Sequence, residues 1–282
     1  MDIGPAPASP DVVLDHAAPE ASNDSNILNL SRRISLNRER STPRFTKPKN
    51  IVCCKNRTIF STFNARTLTR RGCLDELGLN AELFGIEIIA IQEHRFYHPD
   101  DNLKYHAVGS YQLVTSSASK NSVNATVGGI GFLLSQKASD NLLNIESVTP
   151  RILVLELEGN PKTTVICVHS PHNSSTEEDI EDFYESLRET VEQVPPHNFL
   201  VIAGDLNSKL GPDAVKNTFD STTNRNGEML LDFLEEFNLF TSNNHFMKPK
   251  GHLCSLDFSD SFYRGQWGSV TAVVSLSTLQ TP

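Results

Sequence analysis

Between residues 58 and 207 the chain repeats one device, a short β-branched apolar run that stops at a polar residue. The runs are TIFSTFN (58–64), IEIIAIQ (86–92), VGGIGFLLS (127–135), RILVLELE (151–158), TTVICVHS (163–170) and NFLVIAGDLN (198–207). Several are apolar on both faces, which fits strands covered on each side and leaves little room for other folds. RILVLELE alternates, so one of its faces should be wetter. Amphipathic stretches lie between and after the runs. In 176–194, Ile180, Phe183, Leu187, Val191 and Val194 recur at near-helical spacing. Glu177, Glu178 and Asp179 fill the first turn, Ser175 or Thr176 can cap it, and Pro195-Pro196 stops it. A second apolar stripe (Met229, Leu230, Phe233, Leu234, Phe237) predicts a helix over 227–238, and a weaker one is expected over 73–84. Strands interleaved with helices predict an α/β or α+β domain.

Residues 1–56 break this texture, with Pro5, Pro7, Pro10, Pro19, Pro43 and Pro48 among polar and charged residues. They are expected to form a disordered leader. The full chain carries 25 Lys+Arg against 34 Asp+Glu, a net charge of -9 that gives no prior for tight nucleic-acid binding. The charge is uneven, however. Between Arg32 and Arg57 nine cations oppose the single Glu39, so a basic arm precedes an acidic body. That arm reads either as a solvated leader or as a phosphate-attracting or nuclear-import segment. No run approaches the roughly 18 apolar residues of a membrane span, and the N-terminus lacks a signal-peptide pattern. The five cysteines follow no disulfide or metal spacing, and an intracellular protein is expected.

The chemistry is expected where the strands stop. TIFSTFN ends in Asn64, IIAIQE in Glu93, and FLVIAGDLN in Asp205 and Asn207. Open α/β sheets bring such ends together along one edge. Gly204 permits a tight backbone, while Asp205 and Asn207, two apart, are expected to point to the same side. Any one of these residues alone would read as a turn former or cap. Together, Glu93 and Asp205 describe a hard-oxygen pocket for Mg2+ or Mn2+.

The segments STFNARTL (61–68), IQEHR (91–95), GGIGFLLS (128–135), VICVHSPHN (165–173), VIAGDLNSKLG (201–211) and NRNGEMLLDF (224–233) resemble, in order, the endonuclease/exonuclease/phosphatase superfamily. They are most similar to the endonuclease domains of RTE-type non-LTR retrotransposons and to craniofacial development protein-like sequences. The resemblance runs from about Arg57 to His252. It implies a four-layer sandwich, two mixed β-sheets face to face with helices outside, and Mg2+-dependent phosphodiester hydrolysis with DNA as the substrate. By the same resemblance, Glu93 binds the metal and Asn64 positions metal and phosphate. Asp205 orients or deprotonates the attacking water, and Asn207 holds the scissile phosphate. His169 stands where many members have the tyrosine of a Tyr-x-Pro motif; an imidazole there can donate to phosphate, with a charge that depends on pH. His172 reads as a polar loop residue.

After Leu253 the resemblance stops. The family continues with a Trp/Thr-rich strand, an Ile-Asp-Tyr strand and a Ser-Asp-His motif, none of which is in this sequence. The expected organisation is a leader (1–56), a C-terminally incomplete domain (57–252) and a divergent tail (253–282). Loss of the last strands should leave an unpaired sheet edge, which the Val/Ser/Thr stretch 269–278 could patch. Three readings follow: a metal-dependent DNA endonuclease, acting in the nucleus; a non-catalytic remnant of one; or a phosphatase or RNA exonuclease of the same superfamily.

Overall fold

The computed structural model describes residues 58–218 and 220–242, together with the backbone of 273–275; all belong to one unit, Pro48–Pro282. The leader and nearly all of the tail lie outside the described residues. In chain order the elements are β1 (Phe60–Asn64), α1 (Cys73–Leu83), β2 (Ile88–Gln92), β3 (Lys104–Val108), β4 (Tyr111–Thr115), β5 (Ser119–Lys120), β6 (Thr126–Val127) and β7 (Ile130–Ser135). They continue with α2 (Gln136–Asp140), β8 (Leu142–Thr149), β9 (Ile152–Leu157), β10 (Thr163–His169), α3 (Glu177–Glu192), β11 (Phe199–Asp205), α4 (Arg225–Glu236), β12 (Leu239–Thr241) and β13 (Val273–Ser275). One sheet has the order β1-β2-β7-β4-β3 and the other β12-β13-β11-β10-β9-β8, with β5 and β6 forming a separate small ribbon. Each large sheet holds one parallel pair, β1 with β2 and β10 with β11, among antiparallel neighbours.

Side-chain alternation assigns the two faces of every central strand to different cores. In β2, Ile88 and Ala90 point between the sheets, while Ile89 and Ile91 pack outward with Leu77 and Ala81 of α1. In β10, Val165 and Cys167 join the inter-sheet core, and Ile166 and Val168 meet Phe183, Leu187 and Phe233 of α3 and α4. β11 divides in the same way. Helix, sheet, sheet, helix is therefore the order of layers, the mixed four-layer sandwich that the resemblance implied. Burying a large side chain contributes about 1.5–3 kcal/mol, and strands apolar on both faces supply it to two interfaces at once. RILVLELE is wetter on one face as expected, with Val154 and Glu156 partly exposed.

The helices follow their end signals. Thr176 caps α3 in a capping box, its hydroxyl accepting from the Asp179 N–H at 3.1 Å. Asn224 caps α4 through the Gly227 N–H at 2.8 Å, placing the start two residues before the apolar stripe suggested. Strands β3, β4 and β8 were not expected. The Gly109-Ser110 turn joining β3 to β4, with Gly109 at φ 58°, is a hairpin signal that the short, mixed strands around it hide. β8 is an exposed edge with two register shifts, so no burial pattern marks it. Part of the Val/Ser/Thr stretch 269–278 does patch an edge: Val273–Ser275 pairs antiparallel with both β11 and β12. A β-branched segment from the tail supplies the missing ladder partners there.

Two close approaches fix the strand ends. A Cβ on Gly204 would lie 1.9 Å from the Val168 carbonyl oxygen, so only glycine lets β10 and β11 run together to their last residues. A Cβ on Gly129, at φ 84°, would lie 2.5 Å from the His94 ring. Replacing Gly204 by Ala is expected to cost about 1–3 kcal/mol of stability, seen as a lowered urea midpoint. His94 is fully buried and doubly held: Nδ1 accepts from the Phe96 N–H at 2.9 Å, so Nε2 carries the proton toward the Ile130 carbonyl at 3.1 Å. Burial is the main reason its pKa falls to about 4. The unfolded chain takes up that proton near pH 6.5. Between about 6.5 and 4 it therefore binds more protons than the folded chain, and stability drops as pH falls. The expected loss is roughly 3 kcal/mol. Urea titrations from pH 7 to 4 should show it, and should show it reduced in His94→Asn.

Candidate active site

Four strand ends from two sheets meet at one place. Asn64 closes β1 beside Gln92 of β2, with Glu93 next in the chain; His169 closes β10 directly opposite Asp205 of β11. Both parallel pairs thus deliver their C-terminal ends to the same edge, as expected for α/β sheets. The Asn64 amide nitrogen donates to Glu93 Oε1 at 3.0 Å and to Asp205 Oδ2 at 2.9 Å, spanning the sheets. Its oxygen accepts the Arg66 N–H at 3.1 Å. The reverse amide orientation would set oxygen against two carboxylates, so the network fixes this one. Asn64 enters the site as a donor to both carboxylates, while its amide oxygen faces the Arg66 backbone.

Glu93 sits at φ 55° and Arg95 at φ 63°, with Arg66 and Asn207 also in the left-handed region. Such conformations cost a non-glycine residue energy and cluster at functional sites. Here they re-aim the chain where the strands end, sending His94 into the interior and leaving Glu93 and Arg95 at the surface of a cleft. Arg95 donates to Glu93 Oε2 at 3.3 Å, and His169 Nε2 lies 3.9 Å from Oε1. Burial raises the Glu93 pKa, but the Asn64 amide, His169 and Arg95 together outweigh it and hold the carboxyl below its ordinary value. Burial lowers the His169 pKa against the pull of Asp205 and Glu93. The imidazole is therefore neutral at pH 7, and its charge changes only below its ordinary range.

Asn207 does not follow the alternation that pairs it with Asp205. β11 ends at Asp205, and at φ 49° the chain leaves the strand. The Asn207 N–H then donates to Asp205 Oδ1 at 3.0 Å, and its side-chain amide donates to the Ser170 carbonyl at 2.9 Å. Asn207 thereby ties the loop after β11 to the loop after β10. The NRNGE segment completes that tie: Asn224 donates to the Asn207 carbonyl at 3.1 Å, and buried Asn226 to the Pro171 carbonyl at 3.0 Å. The motif was visible, but its role depends on loops folding onto one another. His172 is a loop residue, its Nδ1 bonded within the turn to Ser174 at 2.9 Å.

A cleft of about 390 Å³ opens over this edge, lined among others by Glu93, Arg95, Arg151, His169, His172 and Asn207. Asn64 and Asp205 are not among its lining residues but join it through the hydrogen bond from Asn64 to Glu93. Arg95 and Arg151 were not singled out from sequence. Arg151 stands in the β8–β9 turn and donates to the His169 carbonyl at 3.0 Å, while its own carbonyl accepts the His169 N–H at 3.0 Å. Among the described residues no three His, Cys, Asp or Glu side chains are grouped to enclose a metal. The donor set fits a smaller demand: Mg2+ takes one or two carboxylates and keeps waters or substrate phosphate on its other positions. The edge brings together two carboxylates, Glu93 at the cleft and Asp205, joined to it through Asn64.

No family model matches the chain. Craniofacial development protein 2 of Bos taurus and of Tragulus javanicus are each 25% identical to it over 224 residues, 76% of this chain. The chain spans only 36% and 37% of the length of these relatives. Among solved structures, AP endonuclease LMAP from Leishmania major superposes with a TM-score of 0.55 at 14% identity, covering 91% of each chain. A 3' phosphatase, NExo from Neisseria, bound to product DNA hairpin, gives 0.53 at 16% identity over 77% of this chain and 86% of that one. A protein of Leptotrichia buccalis described as endonuclease/exonuclease/phosphatase family gives 0.50 at 12% identity, with the same coverages of 77% and 86%. At these identities the likeness is one of fold, and the chain has the fold of the endonuclease/exonuclease/phosphatase family.

Proposed function

We propose that this chain is a divalent-metal-dependent phosphodiesterase of the DNA endonuclease type. The observation that carries the reading is the bridge from Asn64 to Glu93 and Asp205, 3.0 and 2.9 Å long, beside a cleft lined by Arg95, Arg151 and His169. A Mg2+ or Mn2+ ion held by Glu93 would offset charge growing on the phosphoryl oxygens. Asp205 acts as the base that takes a proton from the attacking water, held in place by the Asn64 amide and the Asn207 N–H. Neutral His169 and charged Arg151 donate to the phosphate from the cleft wall. Asn207 keeps the two loops in register, with its remaining N–H available to substrate. The NExo structure, with its bound DNA hairpin, and the AP endonuclease support DNA as the substrate class. IQEHR and NRNGE support descent from an RTE-type retrotransposon endonuclease, and action on DNA would place the chain in the nucleus.

One observation favours the second reading, a remnant without catalysis. The resemblance breaks off at Leu253, inside the chain and ahead of the family's Ser-Asp-His motif, and residues that act as a unit lose orders of magnitude in rate when one is displaced. Purified full-length chain should nick supercoiled plasmid with Mg2+, and nicking should vanish with EDTA and in Asp205→Ala. Folded protein that leaves the plasmid intact makes the remnant reading correct. Release of phosphate from small esters without nicking points to the phosphatase alternative.

A further inference from the structure

Both oxygens of Glu93 are already engaged. Oε1 accepts from Asn64 at 3.0 Å and faces His169 at 3.9 Å; Oε2 takes the Arg95 guanidinium at 3.3 Å. These contacts differ in how firmly they are held. The Asn64 amide is shared with Asp205, so its removal would leave two carboxylates facing one another. The Arg95 side chain is 41% exposed and lines the cleft. It meets Glu93 through one nitrogen rather than as a two-pronged fork, and its Nε is buried without a hydrogen-bond partner. A guanidinium so placed satisfies neither its own donors nor the fork geometry in which arginine binds best.

We propose that Arg95 is the built-in counter-ion of the metal-free site: it holds the outer oxygen of Glu93, yields that oxygen to a divalent cation, and then serves the substrate phosphate in the cleft. The inference rests on Glu93 as the metal-binding residue. The exchange swaps one positive group for another at the same carboxylate, so Glu93 never stands uncompensated in its partly buried position. It also relieves the poor bonding of Arg95, because a phosphate offers the bidentate partner that a single carboxylate oxygen does not. Metal and phosphate would then bind cooperatively, each favouring the arrangement the other needs, and the coupling must be equal in both directions.

The test is Mn2+ affinity, read by calorimetry on the full-length chain without substrate. Arg95→Met removes the competitor, so the variant should bind Mn2+ roughly three- to tenfold tighter than wild type. Arg95→Gln, uncharged but polar, should move the constant the same way and stands in if the methionine variant does not fold. Mn2+ should also tighten the binding of a short fluorescent DNA duplex to wild type, and much less so in either variant. An unchanged or weaker Mn2+ constant in the variants overturns the counter-ion role while leaving the metal-dependent reading intact. No Mn2+ binding by wild type or variants overturns both.

Discussion

Two ionised carboxylates from different sheets repel each other at a partly buried edge unless a hydrogen-bond donor lies between them. Here it is the amide of Asn64, donating to Glu93 and Asp205 at once. The arrangement works because each donor or acceptor is fixed by strand geometry. Asn64 ends β1, Glu93 follows β2 at the next position, and Asp205 ends β11. Beneath this bridge runs another polar link through the otherwise apolar inter-sheet layer. Thr62 donates to Gln92 at 3.0 Å, and Gln92 to Cys167 of the opposite sheet at 3.3 Å. Buried polar groups that must all be satisfied allow few alternatives. The two links therefore set how the sheets register where the site is built, a constraint that apolar packing alone would enforce less sharply.

The same edge concentrates backbone strain. Arg66, Glu93, Arg95 and Asn207 all have φ between 49° and 63°. Each follows a strand within three residues, where the chain must leave the sheet without losing the position of its functional group. Glycines meet a similar need where no side chain fits: Gly204 under the β10–β11 contact and Gly129 over His94. Left-handed glutamate and asparagine keep their side chains at the price of conformational energy. That cost is offset by hydrogen bonds the turned chain makes, such as the Asn207 N–H to Asp205 and the Arg95 N–H to the Gly128 carbonyl at 3.0 Å.

Much of this was legible in the order of residues, because strands apolar on both faces and helices with one apolar stripe leave few ways to stack. Convergence of Asn64, Glu93 and Asp205 followed from where the apolar runs stop. Asn207 did not, since period-two reasoning holds only while the strand lasts and this strand ends at Asp205. Arg95 and Arg151 were hidden for a different reason. An arginine near a strand end looks the same whether it faces water or a cleft, and only the packing of β8, β9 and β10 brings Arg151 onto His169. The β8 edge carries no periodic signal because it is mostly exposed. The strand at Val273–Ser275 sits in a stretch whose composition permitted a strand without saying which edge it would join.

An acidic chain with the phosphate-binding role proposed for its cleft presents a contradiction only if net charge is taken as the field at the cleft. The net charge of -9 sums a basic arm and a more acidic body, and exposed charges farther than about 8 Å are largely screened at physiological salt. Within the cleft, Glu93 is the acidic lining residue, set against Arg95 and Arg151 with neutral His169 alongside. A divalent cation at Glu93 would make the local balance more positive still. Affinity on this scheme depends on a few well-placed donors, so loss of one cleft arginine matters more than the surplus of surface carboxylates.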